Sequence, residues 1–211
     1  LYGLGLRMTG ITYNESNTLG TGSKEAQDCG LTAFGRAAVD RMNKLGMAIG
    51  MSHESEQTIL DVCEVSDDPV ALSHTGSRAV WDSDRVQPDH VLEAIADTGG
   101  LIAVDAAPNA TRSRNYPGRH SIETVMEHFD HIVDLVGIDH VTFASDTLYG
   151  HQIELMKTFM ERISMEVFAS DDEEGSGLEQ VKNSLDEIGY VEGMENPTES
   201  WINIPRWLVK E

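Results

Sequence analysis

Two hydrophobic periods take turns along the chain. Short apolar runs at residues 4–13, 47–53, 69–74, 101–105 and 140–145 are bounded by polar residues, the pattern of strands buried in a parallel sheet. Between them, apolar positions recur every three or four residues and predict helices over 32–45, 55–66, 88–98 and 121–136. Local signals mark the helix ends. Thr32 suits an N-cap, Gly46 follows as a stop, Pro88 opens the third helix and Gly99-Gly100 end it. Glu123 sits in the first turn of the fourth, where the helix dipole favours a negative charge, and Gly137 closes it. In the first helix, Phe34, Ala38, Met42, Leu45 and the stem of Arg41 form the expected apolar stripe.

Five strands alternating with helices make βα units and a parallel sheet. Residues 14–30, 75–87 and 106–119 read as polar loops, and the first is too polar for a core element. Further on, the pattern predicts helices over 151–168, 178–188 and 199–211, an acidic loop at 171–177 and a turn at Glu195-Asn196-Pro197. Trp201, Ile204, Trp207 and Leu208 form the apolar stripe of the last helix. A single domain over 1–211 is expected. No Gly-x-Gly-x-x-Gly follows the first strand and no phosphate-binding loop is present, so nucleotide binding has no support.

The chemistry gathers where strands end. Residues 47–53 and 69–74 both finish in Ser-His, at His53 and His74, and a third strand finishes in Ser145-Asp146. Ligands of parallel α/β folds collect at the carboxyl ends of strands. A lone histidine after a strand is usually a structural hydrogen-bonding residue. Two in the same position plus a carboxylate at a third point to a divalent-metal site, since neutral imidazole and carboxylate suit zinc. His128 and His131 share a helix face and read as packing residues, and His140 stands at the opposite end of its strand. Asp105 ends a strand and suits either a supporting position or a loop cap.

Charge narrows the partners. Acidic residues number 36 against 15 basic, giving a net charge of −21, which repels nucleic-acid phosphates and anionic membranes. The acidic residues are spread rather than blocked, as in proteins adapted to a salt-rich cytoplasm, where stability should rise with salt. Cys29 and Cys63 are too few for a disulfide scaffold, and no apolar run approaches the ~20 residues of a membrane span. A cytoplasmic location is expected.

The residues also carry a resemblance. Leu-Thr-x-Phe-Gly-Arg (31–36), Met-Asn-x-Leu-Gly-Met (42–47), Ser-His at His53, Pro-Val-x-x-Ser-His (69–74), Asp84-Arg85 and His-x-Asp-His-Ile-x-x-x-x-Gly-Ile-Asp-His-Val (128–141) occur in the order seen in the membrane (renal) dipeptidase family. The chain resembles its bacterial and archaeal members. That resemblance implies a metal-dependent (β/α)8 TIM barrel, of which about five βα units lie here, with two zinc ions and hydrolysis of dipeptides. It implies that His53 and His74 bind the second metal, that Asp146 handles the proton of the attacking water, and that Arg85 binds the substrate carboxylate. Tyr13 stands where well-studied members have a substrate-binding histidine, and Asn14 falls in the substrate-side loop. The family's His-x-Asp and metal-bridging glutamate would lie upstream of Leu1, and its C-terminal end beyond Glu211. The chain is thus expected to be a fragment that binds metal weakly. Thr147-Leu-Tyr-Gly150 replaces the family's usual Phe-Asp-Gly, so the substrate is expected to differ from that of the animal enzymes. The expected partner is a small dipeptide, with a second copy of the chain left open. Two alternatives remain: another barrel amidohydrolase acting on a carboxylate-bearing substrate, or an inactive barrel fragment.

Overall fold

The computed structural model describes residues 1–107, 110–144 and 146. Five strands form one sheet in sequential order: β1 (Met8–Thr9), β2 (Ala48–Met51), β3 (Val70–Thr75), β4 (Leu101–Val104) and β5 (Val141–Phe143). Every neighbouring pair is parallel. The helices α1 (Ala33–Leu45), α2 (Glu56–Val65), α3 (Asp89–Asp97) and α4 (Ile122–Val136) connect them. Sequential parallel strands joined by helices are the arrangement of consecutive units of a (β/α)8 barrel.

Local chemistry sets the helix ends. The Thr32 side chain accepts from the Gly35 amide at the start of α1, and Gly46 ends that helix with φ 64°, a left-handed conformation that a Cβ disfavours. Ser55 caps α2 in the same way by accepting from Thr58. Strand register then places Ile49 beside Val70 and Met51 beside Leu72, with Leu72 beside Ile102 in the next pair. These side chains share one face with the apolar stripes of the helices, including Val39, Ile59, Val62, Leu92, Ile95, Phe129 and Ile132, and together they form the core. Burying one such side chain fully is worth about 1.5–3 kcal/mol. The other face carries small residues, Gly50, Ala71 and Ser73, each only partly buried.

Three expectations need correction. The run at 4–13 yields only the two-residue β1, because just two of its positions pair with β2. Its Leu4 is 88% exposed rather than buried. The α1 stripe is Gly35, Val39 and Met42, while Phe34 points outward at 65% exposure and Arg41 is also exposed. Gly35 faces inward because the Leu19 carbonyl lies where its Cβ would be, and that close approach turns the helix by one position. Finally, the loop at 14–30 is buried in its middle. Gly20, Thr21 and Gly22 are covered, and antiparallel bridges join Gly20 to Leu31 and Gly22 to Glu54. The helices expected beyond Gly150 lie outside the described residues. Among the described residues no helix is long and apolar enough to cross a membrane.

Candidate functional site

β2 and β3 deliver His53 and His74 to the same end of the sheet, and their Nε2 atoms stand 3.1 Å apart. Which protons they carry follows from their other partners. The Ser52 oxygen accepts from the His74 amide at 2.9 Å and lies 2.9 Å from the Ser73 hydroxyl. Where Ser73 donates to Ser52, its Oγ accepts from His74 Nδ1 at 3.0 Å, the tautomer that leaves Nε2 open to an ion. On the other ring, His53 Nδ1 donates to Asn14 Oδ1 at 2.8 Å. A proton on each Nδ1 leaves a lone pair on each Nε2, and the two lone pairs face one another.

Both rings are held neutral. Burial, then the neighbouring Arg85 cation and His74, bring His53 down to about 4. Burial likewise lowers His74, with Arg85 adding to it and the Asp146 carboxylate opposing. Two opposed lone pairs repel unless a cation sits between them. A tetrahedral zinc ion with Zn–N of about 2.0–2.1 Å would hold such nitrogens ~3.3 Å apart. The pair therefore fits a divalent ion, to which it would offer two donors. Among the described residues no group of three or more His, Cys, Asp or Glu could hold an ion, so a full shell draws on further donors.

The other expected residues surround this pair. Tyr13 stacks on His53, with ring centroids 4.1 Å apart and planes 22° off parallel. Asp146 Oδ2 lies 3.9 Å from His74 Nε2, and its backbone takes φ 42°, a left-handed conformation that aspartate tolerates better than most residues. Arg85 is only 9% exposed, donates to the Ser52 carbonyl at 3.2 Å and lies 3.3–3.5 Å from the His53 ring nitrogens. It makes no pair with Asp84, which binds Lys24 instead. Asp105 is fully buried at the end of β4. Its Oδ1 accepts from the Ala107 amide, and burial together with the Asp146 charge raises it to about 7.

The remaining histidines are engaged elsewhere. His128 is fully buried; its Nδ1 accepts from the Ser77 amide at 2.9 Å and its Nε2 donates to the Arg112 carbonyl at 2.8 Å. His131 reaches Asp89 and His140 reaches the Gly100 carbonyl, at the other end of the sheet. Sequence reasoning missed Glu54. It follows His53 directly and is 1% exposed, and four backbone amides converge on its carboxylate. Its only signal was an acidic residue at the end of an apolar run.

Sequential parallel strands, with opposed imidazoles, a carboxylate and a buried guanidinium at their carboxyl ends, define an α/β protein that gathers polar, ionisable side chains where such folds bind ligands. The family described as membrane dipeptidase (peptidase family M19) matches residues 1–164, and the chain belongs to that family. Dipeptidase 3 of Macaca fascicularis is 33% identical over 146 residues, covering 66% of this chain and 29% of that protein. An uncharacterised dipeptidase of Schizosaccharomyces pombe is 32% identical over 151 residues, covering 69% and 36%. Among solved structures, a metallopeptidase dipeptidase of family M19 superposes with TM-score 0.63 at 30% identity, covering 69% of this chain and 44% of that one. A metallopeptidase of Rhodobacter sphaeroides, at 22% identity and TM-score 0.71, covers 99% of this chain and shares the fold. The chain spans about a third of the length of the curated relatives it matches and about half of the solved chains.

Proposed function

We propose that the protein carrying this chain hydrolyses dipeptides with the help of a divalent metal, zinc being the ion its donors suit best. One observation carries the reading: two neutral imidazoles direct their Nε2 lone pairs at each other across 3.1 Å, in a chain of the membrane dipeptidase family. When bound there, the ion supplies Lewis acidity toward water and the scissile carbonyl. The other groups do the rest. Asp146, beside His74, takes the proton of the attacking water and returns it to the leaving amine. Arg85 offers a planar fork to the free α-carboxylate of the substrate, which selects short peptides. Tyr13 forms the exposed wall over His53 and bounds the space for a side chain. Asn14 keeps the His53 proton on Nδ1, so that Nε2 carries the lone pair an ion would take. The test is hydrolysis of an unblocked dipeptide by this protein before chelation, after chelation and after zinc is restored. Activity lost with the chelator and regained with zinc is the expected result. Activity indifferent to chelation would remove the metal from the reading.

A further inference from the structure

Glu54 takes no part in the chemistry just described, yet it is among the most buried charged side chains of the described residues. Its Oε1 accepts from the amides of Ile11 at 2.8 Å and Thr12 at 3.1 Å. Its Oε2 accepts from Ser52 at 2.7 Å and His53 at 3.0 Å. The first two amides follow β1 and lead directly into Tyr13 and Asn14. The second two follow β2 and end on His53 itself. One carboxylate thus fastens two separate strand ends together, and these are the segments whose side chains meet at the His53 ring. Tyr13 stacks on that ring and Asn14 accepts its Nδ1 proton.

The surroundings are shaped to admit the carboxylate. A Cβ at Gly10 would lie 2.8 Å from Glu54 Oε1 and 3.0 Å from the Gly50 carbonyl, so glycine is what allows the β1 end to close onto it. All four donors are backbone amides lying beyond the last paired residues of β1 and β2. Without the carboxylate, the amides of Ile11 and Thr12 would lose their bonds to the β2 end, leaving the Asn14–His53 bond, the Tyr13 stack and the Ser23 and Lys24 amides to hold the segment against His53. Charge-assisted bonds from amides to a carboxylate are stronger than neutral ones, and groups that orient a metal-binding histidine typically change its affinity by about 10–100-fold.

The geometry points to Glu54 as the positioning residue of this site: its carboxylate sets the His53 imidazole in register with the Tyr13–Asn14 segment that reads the substrate. The positioning itself stands on the hydrogen bonds alone, while its effect on hydrolysis rests on the dipeptidase reading.

The experiment follows the full chain, without metal, by nuclear magnetic resonance. In the native chain the amides of Ile11, Thr12, Ser52 and His53 exchange slowly although they lie outside the strand ladder, and the carbon-bound ring protons of His53 are shifted upfield by the Tyr13 ring stacked on them. In Glu54→Gln, one oxygen becomes a donor facing two donors. Exchange at these four amides then accelerates about tenfold to a hundredfold and the His53 upfield shift is lost, while α4 amides and the His128 ring signals stay in place. Gly10→Ala, which displaces the carboxylate without changing its charge, produces the same loss, so the test survives if one variant fails to fold. In the active protein, Glu54→Gln lowers kcat through the displaced His53 ring and raises KM through the displaced Tyr13–Asn14 segment. Rapid exchange at the four amides in the native chain overturns the assignment, and so does an unmoved His53 ring signal in a folded Glu54→Gln or Gly10→Ala chain. If the native protein hydrolyses no dipeptide, the functional reading falls, and the exchange and ring-shift results still decide the positioning.

Discussion

His53 and His128 are the same residue placed in two regions, and burial lowers both to about 4. Their partners separate them. Both ring nitrogens of His128 are bound to backbone groups, the Ser77 amide and the Arg112 carbonyl. Nothing is left over, and the ring serves as a peg between α4, the loop after β3 and the loop after β4. His53 turns to side chains only: its Nδ1 donates to Asn14, and its Nε2 faces the His74 Nε2 at 3.1 Å with the Arg85 guanidinium 3.5 Å away. A depressed imidazole therefore does not mark a site. What marks it is an acceptor that the fold has aimed at another acceptor, which is costly to bury unless a cation joins them.

Removing the His128 peg should have the largest effect. His128→Ala leaves two buried backbone groups without partners, at about 1–3 kcal/mol each, plus the cavity of a lost ring. We expect the denaturant midpoint to fall by the equivalent of ~3–5 kcal/mol while the His53–Tyr13 stacking remains. A variant of unchanged stability would deny His128 its structural role.

Arg85→Ala should act on the other side of the comparison. A charge-assisted hydrogen bond is worth roughly 1.5–3 kcal/mol, so kcat/KM for an unblocked dipeptide should fall about tenfold to a hundredfold. The loss on the C-terminal amide should be much smaller. Equal losses would leave Arg85 as a prop for the Ser52 carbonyl and no more.

Acid sharpens the comparison further. His120 and His128 both stand near 4 in the fold, largely through burial, against about 6.5 when unfolded. Between those values the unfolded chain takes up protons that the folded chain refuses, so their contribution is complete above pH ~6.5 and is lost as pH falls toward 4. Asp105 works the other way. Raised to about 7 by burial and the Asp146 charge, it holds a proton in the fold that the unfolded chain gives up, which favours folding as pH drops. His53, near 4, and His74, also lowered, act in the same sense, so the histidines outweigh the one aspartate and stability falls on acidification. Melting temperatures across pH 7.5 to 4 check the sign; a rise through that window would reverse it.

Much of this was legible in the sequence because it is local. The Thr32 cap, the Gly46 stop and the alternation of runs with helices all act within a few residues. The strand-end pair was legible too, since the Ser-His repeat places both rings at one edge. What stayed hidden depends on distant partners. The length of β1 is set by two pairings with β2. The turned face of α1 is set by a carbonyl at Leu19. The role of Glu54 is set by amides 42 and 43 residues earlier in the chain. The same holds for the fixed proton on each Nδ1, which no pattern of residue types reveals.

The smallest effect is expected at the rim. Lys24 and Asp84 join the loop at 14–30 to the loop after β3, but both side chains are about half exposed. Lys24→Ala should cost about 0.2–1 kcal/mol at low salt and less in molar KCl. A larger, salt-insensitive loss in thermal melts would make this bridge a structural clamp.

If the opposed imidazoles hold the metal, calorimetric titration of zinc into the native protein, His74→Ala and His128→Ala will separate them. His74→Ala should weaken binding by more than about a hundredfold, the upper range for residues that merely support a ligand, and a folded His128→Ala chain should bind as the native does. Equal zinc affinity in the native protein and His74→Ala would contradict binding by the opposed pair.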